Sequence, residues 1–237
     1  ALWNLAQLGR PEGDLVDRLR KALQRCRDGH QDEAPLAYAL FKALDDLGEH
    51  VDAWPVLQRA WRARRRALAW READEEALYR QLGDAFPGPA EAAAGATDEG
   101  PAPVFVIGQP RTGSTLLERF LGQHPQVFAA GELFDFSHQL HWQANLPAQD
   151  VLSPAVLGRL PMLDFASLGR RYLDHVRWRA GGREVLVDKL PRNYLLAPFI
   201  ARALPRARFL HTMRAPMDTC FSQLKELFAH GYPHSYD

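Results

Sequence analysis

Hydrophobic and polar positions follow two different patterns along this 237-residue chain, and the change falls near residue 86. Up to that point, apolar residues recur at helical spacing among Ala, Leu, Arg and Glu, with few β-branched residues, which predicts helices. Beyond residue 103, short apolar runs alternate with segments of helix length, a pattern typical of βαβ units around a parallel sheet. The sequence therefore predicts an all-α segment followed by an α/β domain.

The clearest helical pattern lies in residues 34–63, where two apolar faces are separated by Gly48. A helix–turn–helix of this length matches the 34-residue period of tetratricopeptide repeats, and a weaker copy lies one period earlier. A plain helical hairpin is the alternative. The positions expected to face inward are Ala37, Leu40, Phe41 and Leu44 in the first helix and Ala53, Leu57 and Ala60 in the second.

These patterns divide the chain into three segments. Residues 1–86 form the helical segment, residues 87–102 a linker rich in proline and glycine, and residues 103–237 the α/β domain. Within the last, residues 133–183 are expected to be mostly helix with loops. Strands are predicted at residues 104–107, 184–188 and 207–212, with a further short strand at 126–130.

Composition narrows the class of protein without identifying a partner. Lys plus Arg and Asp plus Glu each total 29, so bulk charge indicates neither nucleic acid nor a membrane surface. Two distant cysteines make neither a disulfide framework nor a zinc pattern, which favours a reducing cytosol and thus a cytoplasmic protein. No stretch approaches the ~20 apolar residues of a membrane span.

The candidate chemistry begins with GQPRTGST, residues 108–115, directly after the first predicted strand. Two glycines separated by four residues, ahead of a helix, are typical of a phosphate-binding loop, but Ser114 stands where ATP-binding loops have lysine. Backbone N–H groups at the helix start, hydroxyl groups and one guanidinium would together bind a single anion. The candidate ligands are Arg111, Thr112, Gly113, Ser114 and Thr115.

Polar residues also follow two other predicted strands. Asp188 and Lys189 end the strand at 184–188, and Arg214 follows the strand at 207–212. Ser222 lies two turns into the next helix, so that Arg214 and Ser222 could bind a second phosphate. Because ligands of open α/β sheets bind beyond the carboxyl ends of the strands, all three stretches are expected at one edge of the sheet.

Taken together, PRTGST (110–115), DKLPRN (188–193) and RAPMDTCFS (214–222) resemble the sulfotransferases that use 3′-phosphoadenosine 5′-phosphosulfate, PAPS. The resemblance is greatest to tyrosylprotein sulfotransferases and bacterial tetratricopeptide-repeat sulfotransferases. These also share the HP dipeptide at residues 124–125 and an acidic residue in a segment like GEL, residues 131–133. It covers most of residues 34–237. It implies a P-loop-like three-layer sandwich with a parallel sheet, and further helices after residue 237.

The same resemblance implies roles for the candidate residues. PAPS would be the sulfuryl donor and adenosine 3′,5′-bisphosphate the product, with no metal required. Glu132 would be the general base, and Arg111 and Lys189 would stabilise the leaving group. The loop residues would bind the 5′-phosphosulfate, and Arg214 with Ser222 the 3′-phosphate. His138, His141 and Asp188 are the alternative bases.

The reaction implied is transfer of a sulfuryl group to a hydroxyl by in-line displacement, and the acceptor is a peptidyl tyrosine, a saccharide or a small metabolite. Two other functions fit parts of the sequence. One is a P-loop kinase or nucleotide hydrolase, in which Asp188 would bind magnesium. The other is a non-catalytic module whose helical repeat binds a peptide or protein partner.

Overall fold

The computed structural model describes residues 2–7, 14–96, 99–229 and 232–236, and its elements follow the predicted order. Short 3₁₀ turns lie at Leu160–Met162, Pro191–Leu196 and Pro233–Tyr236. The helices are α1 Leu2–Gln7, α2 Leu15–Arg25, α3 Glu33–Asp46, α4 His50–Arg66, α5 Glu72–Ala85, α6 Ser114–Leu121, α7 Asp135–Gln143, α8 Pro154–Leu157, α9 Phe165–Ala180, α10 Ala197–Ala203 and α11 Pro216–Leu224. The strands are β1 Ala102–Gly108, β2 Val127–Ala129, β3 Val185–Asp188 and β4 Arg208–Thr212.

The strands of the described residues form one parallel sheet in the order β2-β3-β1-β4. All their carboxyl ends therefore lie at the same edge. The chain leaves β1 toward β2 and later crosses back past β1 to reach β4, so the loop after β1 lies where the strand order reverses. In open α/β sheets this reversal is the usual position of a ligand.

Helices cover both faces of the sheet, as the resemblance implied. Right-handed crossovers put α6 on one face and α7, α9 and α10 on the other. On the latter face, the Phe105 ring packs against Tyr172 and Phe136, with ring centroids 5.8 and 6.4 Å apart. All three side chains are fully buried. The prediction of a three-layer P-loop-like α/β fold with a preceding helical segment is thus confirmed.

The helical hairpin is formed by α3 and α4, which meet at the break predicted around Gly48. Its core also includes Leu19 of α2, and Tyr38 of α3 packs edge-on against Tyr236. All the positions predicted to face inward are buried: Ala37, Leu40, Phe41, Leu44, Ala53, Leu57 and Ala60. The helical spacing is therefore confirmed, while membership of the tetratricopeptide class stays a prediction.

The chain divides into two compact units, Ala1–Glu72 with Cys220–Asp237, and Ala73–Thr219. These differ from the predicted boundaries of 1–86, 87–102 and 103–237 at both ends. Almost all of α5 belongs to the α/β unit, because Leu78 and Leu82 pack against its core. The C-terminal stretch belongs to the helical unit, because Tyr236 is part of that unit's core. Linker residues 97 and 98 lie outside the described residues.

Composition does not distinguish α5 from the helices before it, because α5 is equally rich in Ala, Leu and Glu. It carries no fully buried residue, so its partner could not be predicted from its own pattern. The strands agree with prediction to within two residues at each end. No helix in the described part of the chain is long and apolar enough to cross a membrane.

Candidate active site

The loop between β1 and α6 is fixed by close contact between Gly108 and β4. Gly108 has φ +139, and a Cβ added there would lie 2.5 Å from the Thr212 carbonyl oxygen. Gly113 has φ +97 and immediately precedes α6. Both positions therefore need glycine, the first for space and backbone angle, the second for backbone angle alone.

The Thr112 side chain stabilises this loop by hydrogen bonds. Its hydroxyl donates to the Gln109 carbonyl oxygen at 2.6 Å and lies 2.7 Å from the hydroxyl of Thr212. Because that donation uses the one proton of the Thr112 hydroxyl, Thr212 is the donor in their contact, and the Ile107 carbonyl oxygen, 3.2 Å from Thr212 Oγ1, is its alternative acceptor. The Thr112 hydroxyl, expected from sequence among the anion ligands, is thus bound within the protein, and its backbone N–H is the group left for an anion.

The other loop candidates surround the start of α6. Ser114 is the first helical residue and is 5% exposed, whereas Thr115 is exposed. The first N–H groups of a helix have no acceptor within it and carry partial positive charge. Arg111 is exposed, and its φ of +69 is uncommon outside glycine. The loop thus presents N–H groups, hydroxyls and a guanidinium over a few residues, a donor set that fits a phosphate.

Glu132 and Lys189 meet because β2 and β3 are parallel neighbours. The ladder continues past both strands: Ala130 N–H donates to Val187, and Lys189 N–H donates to Gly131. The Lys189 ammonium then donates to Glu132 Oε1 at 2.6 Å. The Glu132 side chain is half-exposed and that of Lys189 is 8% exposed. The predicted base and the predicted cation are thus hydrogen-bonded to each other.

A second carboxylate, Glu118 of α6, also lies near the Lys189 ammonium. Glu118 Oε1 accepts the Gly131 N–H at 2.7 Å, and its Oε2 lies 4.0 Å from the Lys189 ammonium. Glu118 is 7% exposed. Two carboxylates therefore share one cation, which leaves this cluster with a net negative charge when all three groups are ionised.

Asp188 directly precedes Lys189 and is fully buried. Its carboxyl group accepts hydrogen bonds from the Tyr172 hydroxyl at 3.1 Å and the Asn193 amide at 3.3 Å. Burial raises the pKa of Asp188 to about 8, although the Tyr172 hydroxyl and the N–H groups of Leu133 and Leu190 lower it. Buried in this way, Asp188 has no surface for a substrate and instead supports the strand end that carries Lys189.

The two histidines considered as alternative bases have other contacts. His141 is 1% exposed, with Nδ1 2.8 Å from the Ser137 carbonyl oxygen, a bond that holds the ring within α7. His138 is exposed and stacks on Phe134, with ring centroids 6.0 Å apart. Among the described residues, no group of three or more His, Cys, Asp or Glu side chains could hold a metal ion.

The two residues of the predicted second anion site are assigned to different units. Arg214 follows β4, and its Nε lies 3.6 Å from Asp218 one turn later. Arg214 belongs to the α/β unit and Ser222 to the helical unit, although α11 carries both Asp218 and Ser222. Their joint binding of a phosphate therefore stays a prediction.

Two tyrosines connect α5 to the loop. The hydroxyls of Tyr79 and Tyr194 lie 2.8 Å apart and their rings stack, with centroids 6.4 Å apart. The Gln109 side chain is hydrogen-bonded to the Tyr194 hydroxyl. Helix α5 is thus connected to the loop between β1 and α6 through the hydroxyl groups of two tyrosines.

Sequence reasoning had missed Glu118, the Thr112–Thr212 contact and the two tyrosines. Glu118 did carry a signal, because it follows Ser114 by four residues and so lies on the same face of α6. The other contacts join residues from distant segments, whose pairing depends on the strand order.

Comparison with known proteins gives one family and two relatives. The model described as the sulfotransferase family matches residues 103–237. An uncharacterised protein of Aquifex aeolicus (strain VF5) is 28% identical over 218 residues, covering 85% of this chain and 27% of its own length. Nodulation protein NoeE of Sinorhizobium fredii (strain NBRC 101917 / NGR234) is 30% identical over 131 residues, covering 50% of this chain and 30% of its own length. The chain therefore spans less than a third of the length of these curated relatives, and no solved structure matches it.

Proposed function

The chain belongs to the sulfotransferase family, and we propose that it moves the sulfuryl group of PAPS to a hydroxyl group of an acceptor, with Glu132 as the general base. The observation that carries this proposal is the 2.6 Å hydrogen bond between Lys189 and Glu132 at the edge of the sheet where the anion-binding loop also begins. A base and a leaving-group cation are the two elements that an in-line displacement at sulfur requires.

The loop fits one sulfated phosphate better than a triphosphate. PAPS would supply an activated sulfuryl group on a 5′-phosphate, and Ser114 in place of the usual lysine suits an anion that has no β- and γ-phosphates. The N–H groups of Thr112, Gly113, Ser114 and Thr115 and the Arg111 guanidinium would bind the 5′-phosphosulfate. The Thr112 hydroxyl would hold the loop in shape rather than bind the anion.

Glu132 is the carboxylate suited to accept the acceptor's proton. It is half-exposed, whereas Glu118 and Asp188 are buried. To accept that proton, Glu132 must turn from Lys189 toward the acceptor hydroxyl. Lys189 and Arg111 would then stabilise the negative charge that develops on the leaving group. The ion pair thus holds both groups in place before the reaction and separates during it.

A 3′-phosphate would be bound by Arg214 with Ser222. Arg214 lies just before α11, and Asp218 in the first turn of that helix lies 3.6 Å from the Arg214 guanidinium. The acceptor class is proposed only as far as a hydroxyl, because peptidyl tyrosine, saccharides and small metabolites all provide one. A peptide or protein partner for the helical hairpin and a cytoplasmic location belong to the same proposal.

Sulfuryl transfer from radiolabelled PAPS to a panel of phenolic and saccharide acceptors tests the function directly. Glu132→Ala should lower kcat about 10²–10⁴-fold, the usual contribution of a general base, while adenosine 3′,5′-bisphosphate still binds. Glu184→Gln, which removes an exposed carboxylate of the same unit, is the matched control. Unchanged turnover in Glu132→Ala would assign the base elsewhere.

A further inference from the structure

Glu118 uses its two carboxylate oxygens for two different partners. Oε1 accepts the Gly131 N–H at 2.7 Å, and this peptide directly precedes Glu132. Oε2 lies 4.0 Å from the Lys189 ammonium. One side chain of α6 is therefore in contact both with the backbone that carries the proposed base and with the cation that pairs with it.

The ammonium of Lys189 needs a counter-ion throughout the reaction. Its side chain is 8% exposed, and an ammonium group removed from water is strongly destabilised unless it is paired. In this structure Glu132 provides the closer partner at 2.6 Å. When Glu132 accepts a proton from the acceptor, its charge is neutralised and this partner is lost.

Glu118 differs from Glu132 in that it cannot leave. It is 7% exposed, it lies within a helix, and one of its oxygens is already bound by a backbone N–H. Its charge therefore stays beside Lys189 whichever way Glu132 turns. A fixed second carboxylate also weakens the hold of Lys189 on Glu132, because the ammonium is shared.

We propose that Glu118 is a positioning residue that fixes the Gly131–Glu132 peptide and keeps a permanent counter-ion beside Lys189, so that Glu132 is free to act as the base. This inference rests on the proposed function. It assigns to Glu118 a role in the chemical step and none in binding the donor or the acceptor.

Two substitutions separate the hydrogen bond from the charge. Glu118→Gln keeps an oxygen that accepts the Gly131 N–H but removes the negative charge, whereas Glu118→Ala removes both. Glu184→Gln removes an exposed charge from the same unit and serves as the control. Each variant of the full chain is measured for thermal unfolding, for steady-state kcat and KM with PAPS, and for binding of adenosine 3′,5′-bisphosphate by calorimetry.

Glu118→Gln is expected to lower kcat about 10–100-fold while KM and the affinity for the bisphosphate change less than threefold. Glu118→Ala should lower kcat further. If Glu118 only stabilised the fold, Glu118→Gln would have a kcat close to that of the wild type and Glu118→Ala would unfold at a lower temperature. Wild-type kcat in Glu118→Gln, or a loss confined to KM or to bisphosphate affinity, would overturn the inference.

Exchange of the Gly131 amide proton tests the same contact without any turnover. We expect this proton to be protected in the wild type and in Glu118→Gln, and to exchange at least tenfold faster in Glu118→Ala relative to the Ala130 amide, which donates to Val187 instead. Equal exchange in all three proteins would refute the anchoring role, even if sulfuryl transfer is found. Protection of Gly131 without any transfer by the wild type would instead count against the proposed function.

Discussion

The Lys189 ammonium lies 2.6 Å from Glu132 Oε1, although 57 residues separate the two along the chain. The contact exists because the β2–β3 ladder continues through the Lys189 N–H to the Gly131 carbonyl oxygen. The geometry of the proposed catalytic pair is therefore set by the pairing of two strand ends rather than by flexible side chains. Any change that moves this ladder should act on turnover before it acts on donor binding.

Replacing Lys189 should leave the carboxylates of Glu118 and Glu132 without their shared cation. We predict that Lys189→Met lowers the free energy of unfolding by about 1–3 kcal/mol, because buried Glu118 loses its cation, and that it abolishes measurable transfer. Chemical denaturation measures the first effect. The double variant Lys189→Met with Glu118→Gln should recover part of the stability and none of the transfer. Equal stability of the single and double variants would show that the Glu118 charge is not paired with Lys189.

Gly108 should tolerate no side chain. We predict that Gly108→Ala destabilises the protein by about 2–5 kcal/mol, since its Cβ would lie 2.5 Å from the Thr212 carbonyl oxygen at a backbone angle that disfavours alanine. Gly113→Ala, where the angle is also positive but the space is open, should cost about 1–2 kcal/mol. Gly88→Ala, in open space with an ordinary φ, is the neutral control. Equal melting temperatures of the Gly108 and Gly113 variants would contradict this account of the loop.

Thr112 and Thr212 should behave as one unit. Each of Thr112→Val and Thr212→Val should cost about 0.5–1.5 kcal/mol, because each breaks the 2.7 Å contact between their hydroxyls. The double variant should cost clearly less than the sum of the two, since both single changes remove the same bond. A double-mutant cycle by urea denaturation measures this coupling. Strict additivity would mean that the contact contributes nothing.

Asp188 should make stability fall as pH rises. Its folded pKa of about 8 lies above the ordinary value of 3.8, so between these values the folded state holds a proton that the unfolded state has lost. Raising the pH from 5 to 7 should therefore lower the free energy of unfolding, by at most about 1.4 kcal/mol per pH unit from this group. Asp188→Asn should show a flatter dependence, and Asp84→Asn, an exposed aspartate, the wild-type slope. Parallel curves for the wild type and Asp188→Asn would contradict the raised pKa.

Features that depend on the spacing of neighbouring residues, namely helix faces and strand bounds, could be predicted from the sequence. The buried faces of α3 and α4 follow from the 3.6-residue period, and the bounds of β1, β3 and β4 follow from short apolar runs, both of which neighbouring residues determine. The order of the strands does not follow from such patterns, so neither the Lys189–Glu132 pair nor the contact of Glu118 with Gly131 could be predicted. The compact units also differ from the predicted segments, because α5 resembles the helices before it in composition while its half-buried Leu78 and Leu82 pack on the α/β core.

The sulfuryl donor is the central claim, and one calorimetric titration tests it most directly. Wild-type protein without magnesium should bind adenosine 3′,5′-bisphosphate at least tenfold more tightly than it binds ATP with magnesium. Arg111→Ala should weaken the bisphosphate about 10–100-fold, the effect of losing one charge-assisted contact, while Arg119→Ala, on the exposed side of α6, should bind as the wild type does. Absence of bisphosphate binding, or equal or tighter binding of ATP with magnesium, would contradict the account.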